Sequence, residues 1–267
     1  MDACIVIPAR FASTRYPGKP LVALTGAKGV ARSLIERSVM AGRAASCGQI
    51  PIYVATDDDR IADEARRIGA DVIMTSDQCR NGTERVAEAV AAAGITADIV
   101  VNLQGDAPLT PAHFVTALID AMRADPECGM ATPFLRCDPE TVENLLMDRR
   151  AGRVGATTVV ADRGGRALYF SKEVIPFTNG RGIVNGKVPV FHHVGVYAYR
   201  PAALAAYQSW EPGPLEGLEG LEQLRFLENG YPIRMVEVSA PGAVFWELNN
   251  PSDVPLIEGY LARMGWD

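Results

Sequence analysis

Apolar and polar positions along the first half of the chain fall into two alternating patterns. Short β-branched runs, "ACIVIP" (3–8), "IPIYVAT" (50–56), "ADVIMT" (70–75) and "ADIVVNL" (97–103), are each followed by a segment with helical spacing. Ile61, Ala65 and Ile68 fall at i, i+4, i+7, as do Val86, Val90 and Ala93, and Val115, Leu118 and Met122 fall at i, i+3, i+7. Each set predicts a helix with one buried stripe. Strands alternating with such helices predict βαβ units, a parallel sheet, and helices on both of its faces.

The pattern changes from about residue 148 to "VGATTVVAD" (154–162), "RALYFSK" (166–172) and "VFHHVGVYAYR" (190–200), joined by linkers such as "TNGRGIVNGK" (178–187). These predict an antiparallel or mixed insertion that covers one side of the crevice. A helix around 216–229, a strand "IRMVEVS" (233–239) and a last helix carrying Val254, Ile257, Leu261 and Met264 follow. The expected class is α/β: a Rossmann-like, mostly parallel sheet flanked by helices, with a smaller mixed β insertion. We expect one domain over 1–267, with a core of about 1–135 and 230–267 and a lobe of about 136–229.

Composition narrows the picture. At 267 residues, 48% hydrophobic and 22% charged, the chain can bury a sizeable core and is far from disordered composition. No run of 18 apolar residues occurs and no basic segment precedes the first apolar run, so the expected location is cytoplasmic. Five scattered cysteines, Cys4, Cys47, Cys79, Cys128 and Cys137, none spaced C-x-x-C, read as reduced thiols rather than a zinc cluster or disulfide framework. A net charge of -6 argues against nucleic-acid binding without a local basic patch, so any anionic ligand needs concentrated positive charge.

The stretch "IPARFASTRYPGKPLVAL" (7–24) offers that concentration. It carries no G-x-G-x-x-G, and its Gly18-Lys19 is followed by Pro20 rather than Ser or Thr, so neither common phosphate loop fits. Arg10, Arg15 and Lys19 lie on a segment stiffened by Pro17 and Pro20, with Ser13 and Thr14 as further donors. Such a loop is able to wrap a triphosphate. A charge pair at 4 Å is worth about 4 kcal/mol at an effective dielectric near 20, so three local cations outweigh a dispersed negative surface. A solvated basic turn would have the same charge count.

Asp106, in "LQGDAP" after a predicted central strand, stands where an open α/β sheet binds ligands. One carboxylate with substrate phosphates suits Mg²⁺, whereas an Asp capping the turn before Pro108 is the structural alternative. "NGTERVAE" (81–88) places Gly82 at a helix start, where backbone N–H groups, Thr83 and Arg85 face a base edge or a phosphate. In "NNPSD" (249–253), Asn250 reads as an N-cap, Pro251 as the first helical residue and Asp253 as a first-turn acid.

The order of the opening loop resembles the 3-deoxy-manno-octulosonate (Kdo) cytidylyltransferases. So do "VATDD" (54–58), "NGTERVAE", "VNLQGDAP" (101–108), "ALYFSK" (167–172), "HVGVYAYR" (193–200) and "PLEGLEGLEQLRFLENG" (214–230), in the family's order and over nearly the whole chain. The resemblance implies a fold of the nucleotide-diphospho-sugar transferase type. It also implies transfer of CMP from CTP to a sugar acid such as Kdo, with release of pyrophosphate, Mg²⁺ as cofactor, and a homodimer.

Carried over residue by residue, it makes Arg10, Arg15, Lys19 and Asp106 catalytic. Ala9, Ser13, Thr14, Asn81, Gly82, Thr83, Arg85 and Gln104 join the three loop cations around the nucleotide. Tyr169, Lys172, His193, Tyr197, Glu219, Glu222 and Gln223 face the acceptor, and Asp106 with Asn249 holds the metal. On their own terms, Tyr197 is equally a core residue and Glu222 a solvated helix position.

The chain departs from the family where "ELNNPSDV" (247–254) puts Asn249 in place of an acidic ligand, leaving Glu247 or Asp253 as compensating groups. Lys172 replaces an Arg, His192 precedes His193, Gly217 replaces a His, and "GATTVV" replaces "NAVKVV". Lysine lacks the bidentate fork, so the acceptor side is less determined than the nucleotide side. Amino-Kdo, a nonulosonic acid or a small phosphonate remain alternative acceptors, and a catalytically weak nucleotide-binding homologue is the other alternative. A nucleotide-sugar glycosyltransferase would present Asp-x-Asp after a strand, which "GDA" (105–107) lacks.

Overall fold

The computed structural model describes residues 1–13, 16–46, 48–153, 156–179, 183–184, 186–239 and 247–267. Strand β1 (Ala3–Ala9) is followed by a two-stranded ribbon of β2 (Ala23–Thr25) and β3 (Ala31–Ser33), then α1 (Leu34–Ser46). Next come β4 (Ile52–Thr56), α2 (Asp59–Arg67), β5 (Asp71–Met74), α3 (Gly82–Ala92), β6 (Ile99–Leu103) and α4 (Ala112–Ala124). The second half holds β7 (Met130–Arg136), α5 (Pro139–Arg150), β8 (Thr158–Ala161), β9 (Ala167–Ser171), β10 (Phe191–His193) and β11 (Val196–Tyr199). It closes with α6 (Pro201–Ser209), α7 (Pro214–Glu219), α8 (Leu224–Glu228), β12 (Arg234–Glu237) and α9 (Val254–Met264).

One sheet runs β5-β4-β1-β6-β11-β7-β10-β8-β9, with β12 added along β7. The four strands expected from the first half pair in parallel. All seven residues of β1 are buried because both faces of that strand are covered. Ile5 and Ile7 pack with Ile35, Val39, Phe114 and Leu118 on one face, and Cys4 and Val6 pack with Val86, Val90 and Leu204 on the other. Each such apolar side chain contributes about 2 kcal/mol on burial.

The helix stripes hold at their centres and fray at their ends. Ile61, Ala65, Val86, Val90, Val115, Leu118 and Met122 are buried. Ile68 and Ala93 fall just past α2 and α3 as C-caps, and Met264 in α9 is 42% exposed. The single helix expected around 216–229 is two short ones. Gly220 takes a left-handed conformation (φ 60°) at the end of α7, which stops the helix there.

The lobe expected over 136–229 extends the sheet antiparallel through β10, β8 and β9. Its strand β11 does more than cover a crevice, since it lies in the middle of the sheet between β6 and β7. Pro133 inside β7 breaks the alternation by which a strand is read; it is accommodated where β7 pairs with β12, opposite Val236. Cys4, Cys79, Cys128 and Cys137 are free and buried, while Cys47 lies outside the described residues. Among the described residues no helix is long and apolar enough to cross a membrane.

Candidate active site

The opening loop leaves the carboxyl end of β1 and returns on itself. Gly18 N–H donates to Phe11 O (2.9 Å), and Lys19 begins a single 3-10 turn, Lys19–Leu21, with Pro20 buried behind it. Gly18 sits at φ 70° with its missing Cβ only 3.0 Å from the Phe11 ring, so this contact requires glycine. The Arg60 guanidinium stands 3.3 Å over the centroid of the same ring, and Asp58 holds it by a bidentate pair. Ala9 is buried, Arg10 is exposed, and Ser13 accepts from Tyr16 N–H (3.4 Å). Thr14 and Arg15 lie outside the described residues.

Lys19 points across to the turn after β6. Its Nζ donates to Asp106 Oδ2 at 2.6 Å, with the two side chains only 15% and 27% exposed. The turn is clamped from three sides. A Cβ on Gly105 would stand 2.7 Å from Pro8 O, Ser38 Oγ of α1 donates to Gly105 O (3.1 Å), and Leu248 N–H donates to Asp106 O (2.9 Å). Strand end, helix and C-terminal segment therefore fix one carboxylate at the mouth of the sheet.

On the far side of β1 the start of α3 meets the same turn. Asn81 caps the helix, accepting from Glu84 N–H (2.9 Å) and donating to Tyr207 OH (2.9 Å). A Cβ on Gly82 would be 3.1 Å from both amide atoms of Gln104, so the helix start and the turn are in contact. Glu222 joins them: it accepts from Thr83 N–H (2.9 Å) and from Gln104 Nε2 (3.1 Å). Burial pushes the Glu222 carboxyl above the usual range, against those two donors. It is thus a half-buried link from the turn between α7 and α8 to the start of α3 and to Gln104, not a solvated helix face. Arg85, expected at the nucleotide, is 2% exposed and directs its guanidinium to Asp57 Oδ2 (3.1 Å) and Thr75 Oγ1 (2.6 Å) beneath the site.

The expected acceptor residues form a second cluster whose polar groups are largely engaged. Glu219 accepts from Tyr169 OH (3.3 Å), Ser171 Oγ (2.7 Å) and Lys172 N–H (2.8 Å), which fastens the end of α7 to β9. Burial raises its carboxyl, but those donors win and hold it below the usual range. Tyr197 donates to Gln223 Oε1 (3.2 Å) and both are buried, leaving Gln223 Nε2 without a partner among the described residues. His193 shares a 2.9 Å hydrogen bond with Thr132 Oγ1, and burial depresses its pKa to about 3, so the ring is neutral.

Among the described residues no group of three or more His, Cys, Asp or Glu side chains forms a cation cage. A cation here would draw on Asp106 and substrate phosphates, which is the mode Mg²⁺ favours. Leu248 N–H on Asp106 O places the 247–249 backbone against the turn that carries that aspartate. Asn249 gives its amide N–H₂ to Glu247 Oε2 (3.3 Å). Asp253 is not available to compensate: its Oδ2 accepts the N–H of Asn249 (2.9 Å) and of Asn250 (2.6 Å) in the expected capping arrangement. The donor set fits Mg²⁺.

Residues 4–235 match the cytidylyltransferase family. The 3-deoxy-manno-octulosonate cytidylyltransferase of Maricaulis maris is 43% identical over 265 residues, 99% of each chain. The chain belongs to the 3-deoxy-manno-octulosonate cytidylyltransferase family. A mitochondrial member from Arabidopsis thaliana is 39% identical over 258 residues, 96% of this chain and 82% of that one. The solved structure of CMP:2-keto-3-deoxy-manno-octonic acid synthetase complexed with CTP superposes on this cytidylyltransferase with a TM-score of 0.82 and 32% identity, covering 99% of this chain and 100% of that one. The protein is a nucleotidyltransferase, and its sheet is that of the family.

Two features of this cytidylyltransferase escape a sequence reading. Arg225 is fully buried between Glu216 and Glu84, although a charge in a short helix normally signals solvent. Ser38 reaches Gly105 from a helix 67 residues away, and nothing in the α1 pattern marks it. The only available signal for Arg225 was its position between Leu224 and Phe226, both buried.

Proposed function

We propose that this cytidylyltransferase transfers CMP from CTP to 3-deoxy-D-manno-octulosonate, releasing pyrophosphate. The observation that carries this is the Lys19–Asp106 contact at the carboxyl ends of β1 and β6, with Gln104 and the start of α3 beside it. In the reaction the anomeric hydroxyl oxygen of the acceptor attacks the α-phosphorus of CTP. The bond from that phosphorus to the bridging oxygen of pyrophosphate breaks, and the hydroxyl proton passes to solvent.

The protein's part is alignment and charge balance. Lys19, Arg10 and Arg15 meet the phosphates and the leaving pyrophosphate, with Ser13, Thr14 and the backbone at Ala9 completing the loop. Asn81, Gly82, Thr83 and Gln104 border the nucleotide, and Arg85 braces that helix from below. Tyr169, Lys172, Glu222 and Gln223 border the acceptor, supported by His193, Tyr197 and Glu219. Asp106 and Asn249, with Glu247, would hold Mg²⁺, which when bound neutralises phosphate charge and acidifies the attacking hydroxyl.

We assign the nucleotide half to about 1–135 and 230–267 and the acceptor half to about 136–229. The enzyme works in the cytoplasm as a homodimer. Its support is the apolar surface near β9, the last strand of the sheet, where Leu168 is 61% and Phe177 89% exposed. Lys172 in place of the family's Arg favours a second reading, in which the acceptor is a related acid such as amino-Kdo, a nonulosonic acid or a small phosphonate.

A pyrophosphate-release assay over four nucleoside triphosphates and these acids, with and without Mg²⁺, tests the proposal. Release with CTP and Kdo only when Mg²⁺ is present is expected. CTP binding with no release for any acid would leave a nucleotide-binding homologue instead.

A further inference from the structure

The acceptor-side turn, residues 219–223, hangs between two helices too short to hold themselves, α7 with 6 residues and α8 with 5. One anchor is Glu219 on β9, described above. A second is Glu222 itself on Thr83 N–H and Gln104 Nε2, and a third is electrostatic and buried. Arg225 is 0% exposed and donates Nε and Nη2 to the two oxygens of Glu216, each at 2.6 Å, and Nη1 to Glu84 Oε1 at 2.9 Å. Its guanidinium also lies 4.1 Å over the Tyr207 ring. Glu216 and Arg225 belong to α7 and α8, whereas Glu84 belongs to α3, whose start borders the nucleotide site.

The two sides of this junction differ in firmness. The start of α3 is held by the Asn81 cap, by Arg80 N–H on Glu84 Oε2 (2.8 Å), and by Val86 and Val90 in the core. Helix α7 starts on the carboxylate of Glu228 in α8, which accepts from Leu215 N–H (2.9 Å) and Glu216 N–H (3.0 Å). Glu228 thus ties α7 to α8, and the turn between them carries Glu222 and Gln223. A bidentate, desolvated ion pair fixes direction more than it adds stability.

We propose that Arg225 is a positioning residue for the acceptor: through Glu216 and Glu84 it sets where the turn 219–223 stands against the start of α3. The inference rests on the acceptor reading above, and its test keeps the two apart. Glu84→Gln keeps the shape of the junction and removes one charge, and Arg225→Lys keeps the charge and removes the fork. Arg80→Ala removes the 51%-exposed partner of the same Glu84 carboxylate and serves as the control.

Steady-state pyrophosphate release is measured against Kdo and against CTP below the melting temperature of each variant. Both junction variants are expected to raise KM for the acceptor by roughly tenfold or more, with a much smaller change for CTP, as displacement of a positioning group does. Arg80→Ala is expected to stay close to wild type, as exposed pairs do. Hydrogen exchange is read on the same proteins and is expected to quicken over 214–228 and not over 82–92. If wild type turns over no acceptor, the functional reading fails, and the exchange pattern alone decides the positioning role. Equal changes in both KM values, or a lower melting temperature with kinetics and exchange pattern unchanged, would overturn it.

Discussion

Lys19 Nζ stands 2.6 Å from Asp106 Oδ2, although the two residues are 87 positions apart in the chain. The contact joins the opening loop to the turn after β6 and neutralises the carboxylate at the mouth of the sheet. It ties the loop and the turn together in the fold.

Lys19→Ala and Asp106→Asn are each expected to lower turnover by about 10²- to 10³-fold, the scale of losing one preorganised charge contact. Because the pair is partly solvated, the melting temperature should move little. The double variant should lose far less than the product of the single effects. Pyrophosphate release and a thermal melt on the three proteins check this.

Gly105→Ala places a methyl group 2.7 Å from Pro8 O, a main-chain atom of the central strand that cannot yield. The turn carrying Asp106 must shift away. We expect turnover to fall by about 10²-fold and stability by about 1–3 kcal/mol, read from kcat and a urea midpoint.

Arg85 and Asp57 have side chains only 3% and 11% exposed. Removing one partner leaves a buried charge, so Arg85→Met should cost about 3–5 kcal/mol in urea denaturation. Asp57→Asn added to it should cost little more. KM for CTP in the folded protein should stay near wild type, since the guanidinium is already paired beneath the site.

Burial of His193 makes the stability of the protein acid-sensitive. Its folded pKa, about 3, lies below the ordinary value of 6.5, so between those two pH values the unfolded chain binds the extra proton and stability rises with pH. As pH falls from 6.5 toward 3, this residue contributes a loss of up to about 1.4 kcal/mol per pH unit. His193→Gln should flatten the stability profile over that range in denaturant titrations at stepped pH.

Legibility followed the physics of each region. The strand β1 was plain because all seven of its positions are buried, giving an unbroken apolar run. The place of Asp106 was legible, because the turn after a central strand opens at the carboxyl end of the sheet. The loop was legible as cationic, but charge count does not separate a phosphate clasp from a solvated turn, and the Lys19–Asp106 contact came only from the fold. The junction at Arg225 was hidden, because the sequence cannot show that Glu84, 141 positions away, comes within 2.9 Å. Strand β7 was hidden by Pro133, and the break between α7 and α8 lay at Gly220, a residue also tolerated inside helices. Nothing in the sequence shows that His193 and Arg85 are buried, since polar side chains are read as exposed by default.

The most direct test is a crystal structure of the enzyme with CTP and Mg²⁺. We expect the triphosphate between the 10–19 loop and Asp106, with Lys19 Nζ on a phosphate oxygen and the base beside Gly82 and Gln104. A nucleotide bound elsewhere, with Lys19 and Asp106 still paired to each other and no density between them, would contradict the account.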